Sequence, residues 1–202
     1  MYIKRPLKEY LDDLAAKKAA PGGGSAAALS AAIGASLISM VANYTVGNPK
    51  YKDVEAAMAS VLMKADKARS RLQELVDEDV EAYNKLSKGI KASGKNSAEL
   101  DKLYKEALKA PFEICTIAAE CLKLCSELAD HGNKNLITDT AIAAVLLEGA
   151  FFSAKFNVYI NLKYIKDIDY IEKIHKVLSP LEEAILKLKE DILEKCEDAI
   201  SG

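Results

Sequence analysis

Between Pro21 and Gly47 the chain reads PGGGSAAALSAAIGASLISMVANYTVG, and no charged residue follows until Lys50. Three glycines behind a proline form a backbone that no regular helix or strand would choose. Ser25 is placed to cap what comes next, a helix of Ala, Ser, Gly and a few larger aliphatics running to about Val46. Ala31, Ala35 and Ser39 recur at a spacing of four, as do Ser30 and Gly34, so another helix can approach closely on more than one side. A helix that is apolar all round is buried, in a core or in a membrane. Twenty uncharged residues is the spanning length, but Asn43, Thr45, the small residues and the charged remainder of the chain favour a core helix. Its glycine entrance has two readings. Backbone N–H groups of such a loop and of a helix N-terminus converge on an anion, or the glycines simply let two helices meet.

The rest of the chain is organised as helices around that one. At 202 residues it fits a single domain, 1–202, able to bury a sizeable core. Residues 6–18 read as an amphipathic helix with Leu7, Leu11 and Leu14 on one side. From 50 to 90, Val54, Met58, Val61, Ala65, Ala68, Leu72, Leu75, Asp79, Ala82 and Leu86 alternate spacings of four and three, which is one continuous buried seam. Asp79 breaks it. A carboxylate on an apolar seam is paired, hydrogen-bonded or functional, unless the seam drifts to solvent beside Glu78 and Glu81.

Gly89 to Asn96 is expected to be a loop, with Ser97 capping a short helix to Lys109; Pro111 then starts or kinks another helix to about His131. Gly132-Asn133-Lys134-Asn135 turns the chain into a second charge-poor helix, 138–164. At about 100° per residue, Asp139, Ala143, Leu146, Ala150, Ala154, Asn157 and Asn161 share its buried face, with Glu148 and Lys155 opposite. Asp139 and Asn157 are then about 27 Å apart along the axis. Either the two ends serve different purposes, or a symmetric partner brings one end near a site elsewhere. A helix from 167 to 178 stops before Pro180, and a last one carries Leu181, Ile185, Leu188 and Ile192 as its stripe. No segment alternates as a strand does and no repeat period appears. The expected fold is all-α, a helical bundle with two long buried small-residue helices.

Composition narrows the function. A formal charge of −2 offers no basic field for nucleic acid or an anionic membrane surface. Four cysteines, Cys115, Cys121, Cys125 and Cys196, are too few for a disulfide framework at this length. Cys121 and Cys125 lie one turn apart near His131, but without a CxxC pair or a second ligand cluster they read as core thiols, so no metal is expected. His131 suits a helix C-terminus. Lys4, Arg5 and Pro6 lead into a charged amphipathic segment rather than a signal peptide, so the chain is expected in the cytoplasm. No nucleophile elbow, Walker loop, zinc signature or dinucleotide fingerprint is present. What remains is a glycine-rich helix entrance, the aspartates Asp79 and Asp139, and amides at Asn43, Asn133, Asn135, Asn157 and Asn161. A buried Asp moves a proton near neutral pH once desolvation raises its pKa, and stabilises an amidine-like cation. Amides suit a heterocycle with donors and acceptors.

Three segments together resemble the cyclodeaminase/cyclohydrolase family of one-carbon tetrahydrofolate enzymes. They are Pro21-Gly22-Gly23-Gly24-Ser25 leading to Met40-Val41-Ala42-Asn43; Asp79 with Ala82 and Tyr83; and Gly132-Asn133-Lys134-Asn135 with Thr138-Asp139, closed by Asn157-Val158-Tyr159-Ile160-Asn161-Leu162. Tyr83 stands where the family often has Phe, and Asn48-Pro49 lacks its frequent Gly-Lys. The resemblance implies an all-helical homodimer with a folate site near the subunit interface and no cofactor beyond the folate substrate. It implies one of two reactions: hydrolysis of 5,10-methenyltetrahydrofolate to the 10-formyl form, or closure of 5-formiminotetrahydrofolate to the methenyl form with loss of ammonia. Without a formiminotransferase domain, the hydrolysis is the first expectation. Asp79 or Asp139 would be the acid–base, Gly22, Gly23, Gly24 and Ser25 would hold a carboxylate or oxyanion, and the asparagines would read the pterin. A non-catalytic folate-binding protein and a scaffold without a small ligand are the other readings.

Overall fold

A computed structural model of the chain describes residues 1–92 and 97–202, apart from the side chain of Ser97. Among the described residues there are six α-helices and no strand: α1 (Leu7–Ala15), α2 (Gly23–Asn43), α3 (Glu55–Ala92), α4 (Ser97–His131), α5 (Ile137–Leu162) and α6 (Ile168–Ser201). Short 3-10 turns at Tyr2–Lys4, Pro49–Val54 and Lys134–Leu136 connect them. The fold is all-α, as the periodicity predicts.

α2 lies at the centre, packed against α3, α4 and α5, while α6 covers α4 and α5. Small residues make this possible. Ala28, Ala31, Ala35, Ala42 and the larger Ile38 and Val41 are fully buried. A Cβ on Gly34 would stand 2.8 Å from Leu147 Cγ and 3.3 Å from the Ala143 carbonyl. α2 and α5 therefore approach backbone to backbone, running antiparallel with Gly23 beside Asn157 and Gly34 beside Leu147. The α3 seam is buried at Met58, Val61, Ala65, Leu72, Leu75 and Leu86. Arg71 of α3 joins it to α4 through Glu113 Oε1 at 2.7 Å, a half-buried brace.

Several local expectations are corrected. Ser25 does not cap α2: the helix starts at Gly23 with Gly22 before it, and the Ser25 hydroxyl is buried. No new helix starts at Pro111 and the stop expected before Pro180 does not occur: α4 and α6 run through both prolines. An interior proline costs about 3 kcal/mol. Leu108 and Ile114 on either side of Pro111 are fully buried, and Leu178 and Ile185 flank Pro180 in the same way. Each such side chain contributes about 1.5–3 kcal/mol, so the packed helix outweighs the local rule. Of the expected Gly89–Asn96 loop, α3 continues to Ala92; residues 93–96, and the Ser97 cap, lie outside what is described.

The second charge-poor helix is also rotated from its expected face. α5 buries Thr140, Ala144, Leu147, Phe151, Lys155 and Val158 along with Ala143, Ala150 and Ala154. Lys155 faces inward, paired with Glu182 of α6. The apolar windows of α2 and α5 both reach membrane-spanning length and composition, yet 61% of the α2 window is buried and only 39% of the α5 window. α2 is a core helix. α5 keeps an open apolar side.

Candidate active site

Asp79 leaves the α3 seam at the point where the glycine entrance of α2 arrives. The fit is made by Gly24, whose added Cβ would lie 2.2 Å from Asp79 Oδ1 and 2.7 Å from Oδ2. Only a residue without a side chain lets the backbone rest on that carboxylate. The backbone N–H of Ser25 donates to Asp79, while the Ser25 hydroxyl donates to the Val76 carbonyl at 2.9 Å and accepts from Tyr10 OH at 3.2 Å. The helix N-terminus expected to receive a ligand's anion thus already holds one of the protein's own. Burial nevertheless pushes Asp79 up to about 6, and the Ser25 N–H only partly opposes it.

Asp79 opens on a cleft of about 400 Å³, within the usual range for small-molecule sites. Its polar end is formed by Gly22, Gly23, Gly24, Asp79, Asn157 and Asn161. Asn157 Nδ2 donates to the Ser153 carbonyl at 2.9 Å and Asn161 Nδ2 to the Asn157 carbonyl at 2.8 Å. Each amide spends one hydrogen this way. Among the described residues nothing bonds its Oδ1, which is left to accept from a ligand. The other end is aromatic and aliphatic, with Tyr83, Leu86, Ile90, Tyr104, Ile160 and Tyr164. Tyr104 of α4 and Tyr164, just past α5, are stacked with centroids 4.8 Å apart. Asp79, Gly22–Gly24, Asn157 and Asn161 are the sequence-marked residues the fold brings together; Ser25 lies behind them.

The other marked residues lie at the opposite end of α2 and α5. Asn133 is buried and fully engaged: its N–H donates to Thr45 Oγ1 at 3.0 Å, its Nδ2 to the Tyr44 carbonyl at 3.2 Å, and its Oδ1 accepts from Tyr51 OH at 3.3 Å. It ties the α2 exit to the 49–54 turn and the α5 entrance. Asn135 is exposed and donates its N–H to Asn133 Oδ1 at 3.1 Å. Asn43 is exposed in an open groove with Ser36, Ser39, Met40, Tyr44, Asp66 and Arg69. Asp139 occupies the first turn of α5, where helix N-termini favour carboxylates. Within one chain Asp79 and Asp139 do not share a site. All four cysteines are buried and free, consistent with core thiols, and desolvation raises Cys115 and Cys121 to about 12.

Sequence reasoning missed Tyr104 and Tyr164 in the cleft, and also Asp77. This buried carboxylate accepts the backbone N–H groups of Tyr2 and Ile3, so it pins the N-terminus to α3. Asp77 is two residues from Asp79 on the other side of the helix, off the seam and unmarked by periodicity.

Comparison with known proteins places the chain in a family. The family profile formiminotransferase-cyclodeaminase matches residues 6–179. The chain is 34% identical over 203 residues to the methenyltetrahydrofolate cyclohydrolase of Methylorubrum extorquens, covering 96% of this chain and 97% of that protein. It is 33% identical over 186 residues to the formimidoyltransferase-cyclodeaminase of Mus musculus, covering 88% of this chain but 34% of that protein; it spans about a third of the length of such two-activity relatives. The crystal structure of formiminotetrahydrofolate cyclodeaminase from Thermotoga maritima superimposes with a TM-score of 0.85 at 32% identity, covering 100% of this chain and 98% of that one.

Proposed function

The chain belongs to the formiminotransferase-cyclodeaminase family, and from that membership we propose that it hydrolyses 5,10-methenyltetrahydrofolate to 10-formyltetrahydrofolate, with Asp79 as the acid–base. That it is a one-carbon tetrahydrofolate enzyme follows from relatives so named across nearly its whole length. The observation that carries the mechanism is Asp79 itself: a carboxylate held against glycine backbone, raised to about 6, at the wall of a cleft. A base poised near the working pH is the effective one.

In this reading the Asp79 carboxylate takes a proton from water as its oxygen bonds to the methenyl carbon. The cationic N–C–N unit becomes a neutral tetrahedral carbon. Asp79 then returns the proton to the departing N5 as the carbon–N5 bond breaks, and the hydroxyl loses its proton to solvent as the formyl C=O forms on N10. First-turn N–H groups of a helix lack intrahelical partners, and those of Gly23 and Gly24 line the cleft to steady the developing oxygen. The Asn157 and Asn161 oxygens accept from the heterocycle, and the Tyr104–Tyr164 stack offers it a flat wall. Ring closure of 5-formiminotetrahydrofolate crosses a similar tetrahedral carbon. It is the second reading, favoured by the solved cyclodeaminase of matching length.

Absorbance of the methenyl chromophore separates them. Enzyme-dependent decay above the spontaneous rate supports hydrolysis. Appearance of the chromophore from the formimino substrate, with ammonia released and no decay activity, makes it a cyclodeaminase. Silence in both directions rejects both reactions and leaves the folate-binding and scaffold readings. We further propose that the protein works as a homodimer through the open side of α5 and the adjacent side of α2.

A further inference from the structure

We infer that Tyr83 is a second catalytic residue of the cleft: its hydroxyl oxygen accepts one hydrogen of the attacking water while Asp79 removes the other. The inference rests on the hydrolysis proposed above. It starts from the α3 wall of the cleft, formed by Asp79, Tyr83, Leu86 and Ile90 at spacings of four, three and four. Positions so spaced share one face of a helix. Tyr83 therefore stands where the carboxylate end of that wall gives way to its aliphatic end.

Long helical side chains lean toward the N-terminus, over the preceding turn. For Tyr83 that turn is the one carrying Asp79. The Cβ atoms of an i, i+4 pair stand about 5–6 Å apart. A water bonded at about 2.8 Å to two oxygens holds them about 4.5 Å apart, so the pair has the spacing of a one-water bridge. Both groups have hydrogen-bonding capacity in reserve. Among the described residues the N–H that Asp79 accepts is that of Ser25, and the Tyr83 hydroxyl has no hydrogen-bond partner. The other tyrosines of the cleft are placed differently. Tyr104 and Tyr164 come from α4 and the exit of α5 and stack on one another.

Water attacks through a lone pair, which must face the methenyl carbon. A bond to Asp79 fixes one O–H direction and leaves the molecule free to turn about it. A second acceptor removes that freedom, and orientation of this kind lowers the barrier. The bond to Tyr83 survives the attack, because the tetrahedral carbon then carries that same O–H. As the carbon–N5 bond breaks and the formyl C=O forms, this hydrogen moves to the Tyr83 oxygen while the phenolic hydrogen of Tyr83 passes to bulk water. Tyr83 is 46% exposed as well as lining the cleft, so it connects the reacting carbon to solvent. Ring closure of the formimino substrate consumes no water and needs neither step.

Tyr83→Phe tests this, since it keeps the ring and removes the oxygen alone. With native circular dichroism confirmed, kcat followed by the methenyl absorbance should fall about three- to tenfold, the effect of one hydrogen bond. KM and inhibition by the product 10-formyltetrahydrofolate should stay within about twofold, and kcat/KM should still level off above about pH 6. A variant as fast as wild type overturns the inference. So does one whose KM rises while kcat falls and whose levelling pH moves, because Tyr83 would then shape the cleft without holding the water. Asp79→Asn separates the underlying reading from this one. An inactive Asp79→Asn chain beside a fully active Tyr83→Phe chain removes the role of Tyr83 alone. A fully active Asp79→Asn chain, or a wild type silent toward the methenyl substrate, removes the acid–base hydrolysis and this inference together.

Discussion

The two ends of α2 carry similar sequence signals and do different things with them. At the N-terminal end, glycines meet an aspartate of α3; at the C-terminal end, Gly132-Asn133-Lys134-Asn135 meets the helix exit at Tyr44 and Thr45. Around Asn133 the backbone N–H, the amide nitrogen and the amide oxygen are each bonded to another part of the chain. Around Asp79 a single backbone N–H opposes desolvation, and the asparagines across the cleft keep free oxygens. Buried polar groups are normally satisfied. The end whose groups are satisfied is a joint, and the end whose groups are not is the candidate site.

The strongest attempt to break this contrast is Asp79→Asn. Loss of an acid–base group typically costs 10²–10⁴-fold, so kcat/KM should fall by about that factor, measured by the methenyl absorbance. Stability should move the other way. The folded pKa of about 6 lies above the ordinary value of 3.8, so between about pH 4 and 6 the unfolded chain gives up this proton before the folded one does. Asp79 therefore costs stability progressively as pH rises through that window, and the cost is constant above it. The asparagine chain should be more stable than wild type by about 1–3 kcal/mol at pH 7. Urea denaturation should show that gap closing by pH 4. A gap already open at pH 4, or one of opposite sign, would mean the carboxylate is not desolvated. In the wild type, kcat/KM should rise with pH and level off above about 6.

Gly24→Ala sharpens the same point. The new methyl would press on the end of a flexible side chain, not on backbone, so Asp79 can swing aside and the fold survive. Activity should drop about 10–100-fold, in line with misplacement of a reacting group, while the melting temperature moves little. A loss of folding without a specific loss of kcat would place the glycine in packing alone.

Asn133→Ala is the mirror experiment at the other end. It removes the side-chain bonds to Tyr51 OH, the Asn135 N–H and the Tyr44 carbonyl in a part-buried joint while the backbone N–H keeps its bond to Thr45, and an unmade buried hydrogen bond costs about 1–3 kcal/mol. Thermal unfolding should show that loss, with any kcat change smaller than that of Gly24→Ala.

The sequence showed this contrast only in part. The α3 seam and its interruption at Asp79 were legible because period and burial agree over 30 residues of one helix. The cleft's aromatic wall was not, since Tyr104 and Tyr164 belong to distant segments and meet only when α4 and α5 pack. Lys155 misled for a related reason: its charge argued for solvent, but α6 brings Glu182 to meet it. Asn133 and Asn157 looked alike in sequence, because an amide's type does not reveal whether partners await it. Prolines 111 and 180 are local breakers overruled by the buried leucines and isoleucines around them.

The smallest expected effect concerns the support behind the site. Tyr10 is buried against the α2 entrance and donates to Ser25, whose own hydroxyl holds the Val76 carbonyl one turn before Asp79. Tyr10→Phe keeps the ring and removes that one bond, while Ser25 retains its bond to Val76. The loss should be about 0.5–1.5 kcal/mol of stability and less than threefold in kcat. If α1 serves only as a lid on the core, the pH at which kcat/KM levels off will stay with wild type. A shift of that inflection would show instead that the Tyr10–Ser25 contact sets how closely the Ser25 N–H approaches Asp79, and that the site extends one layer further than its lining.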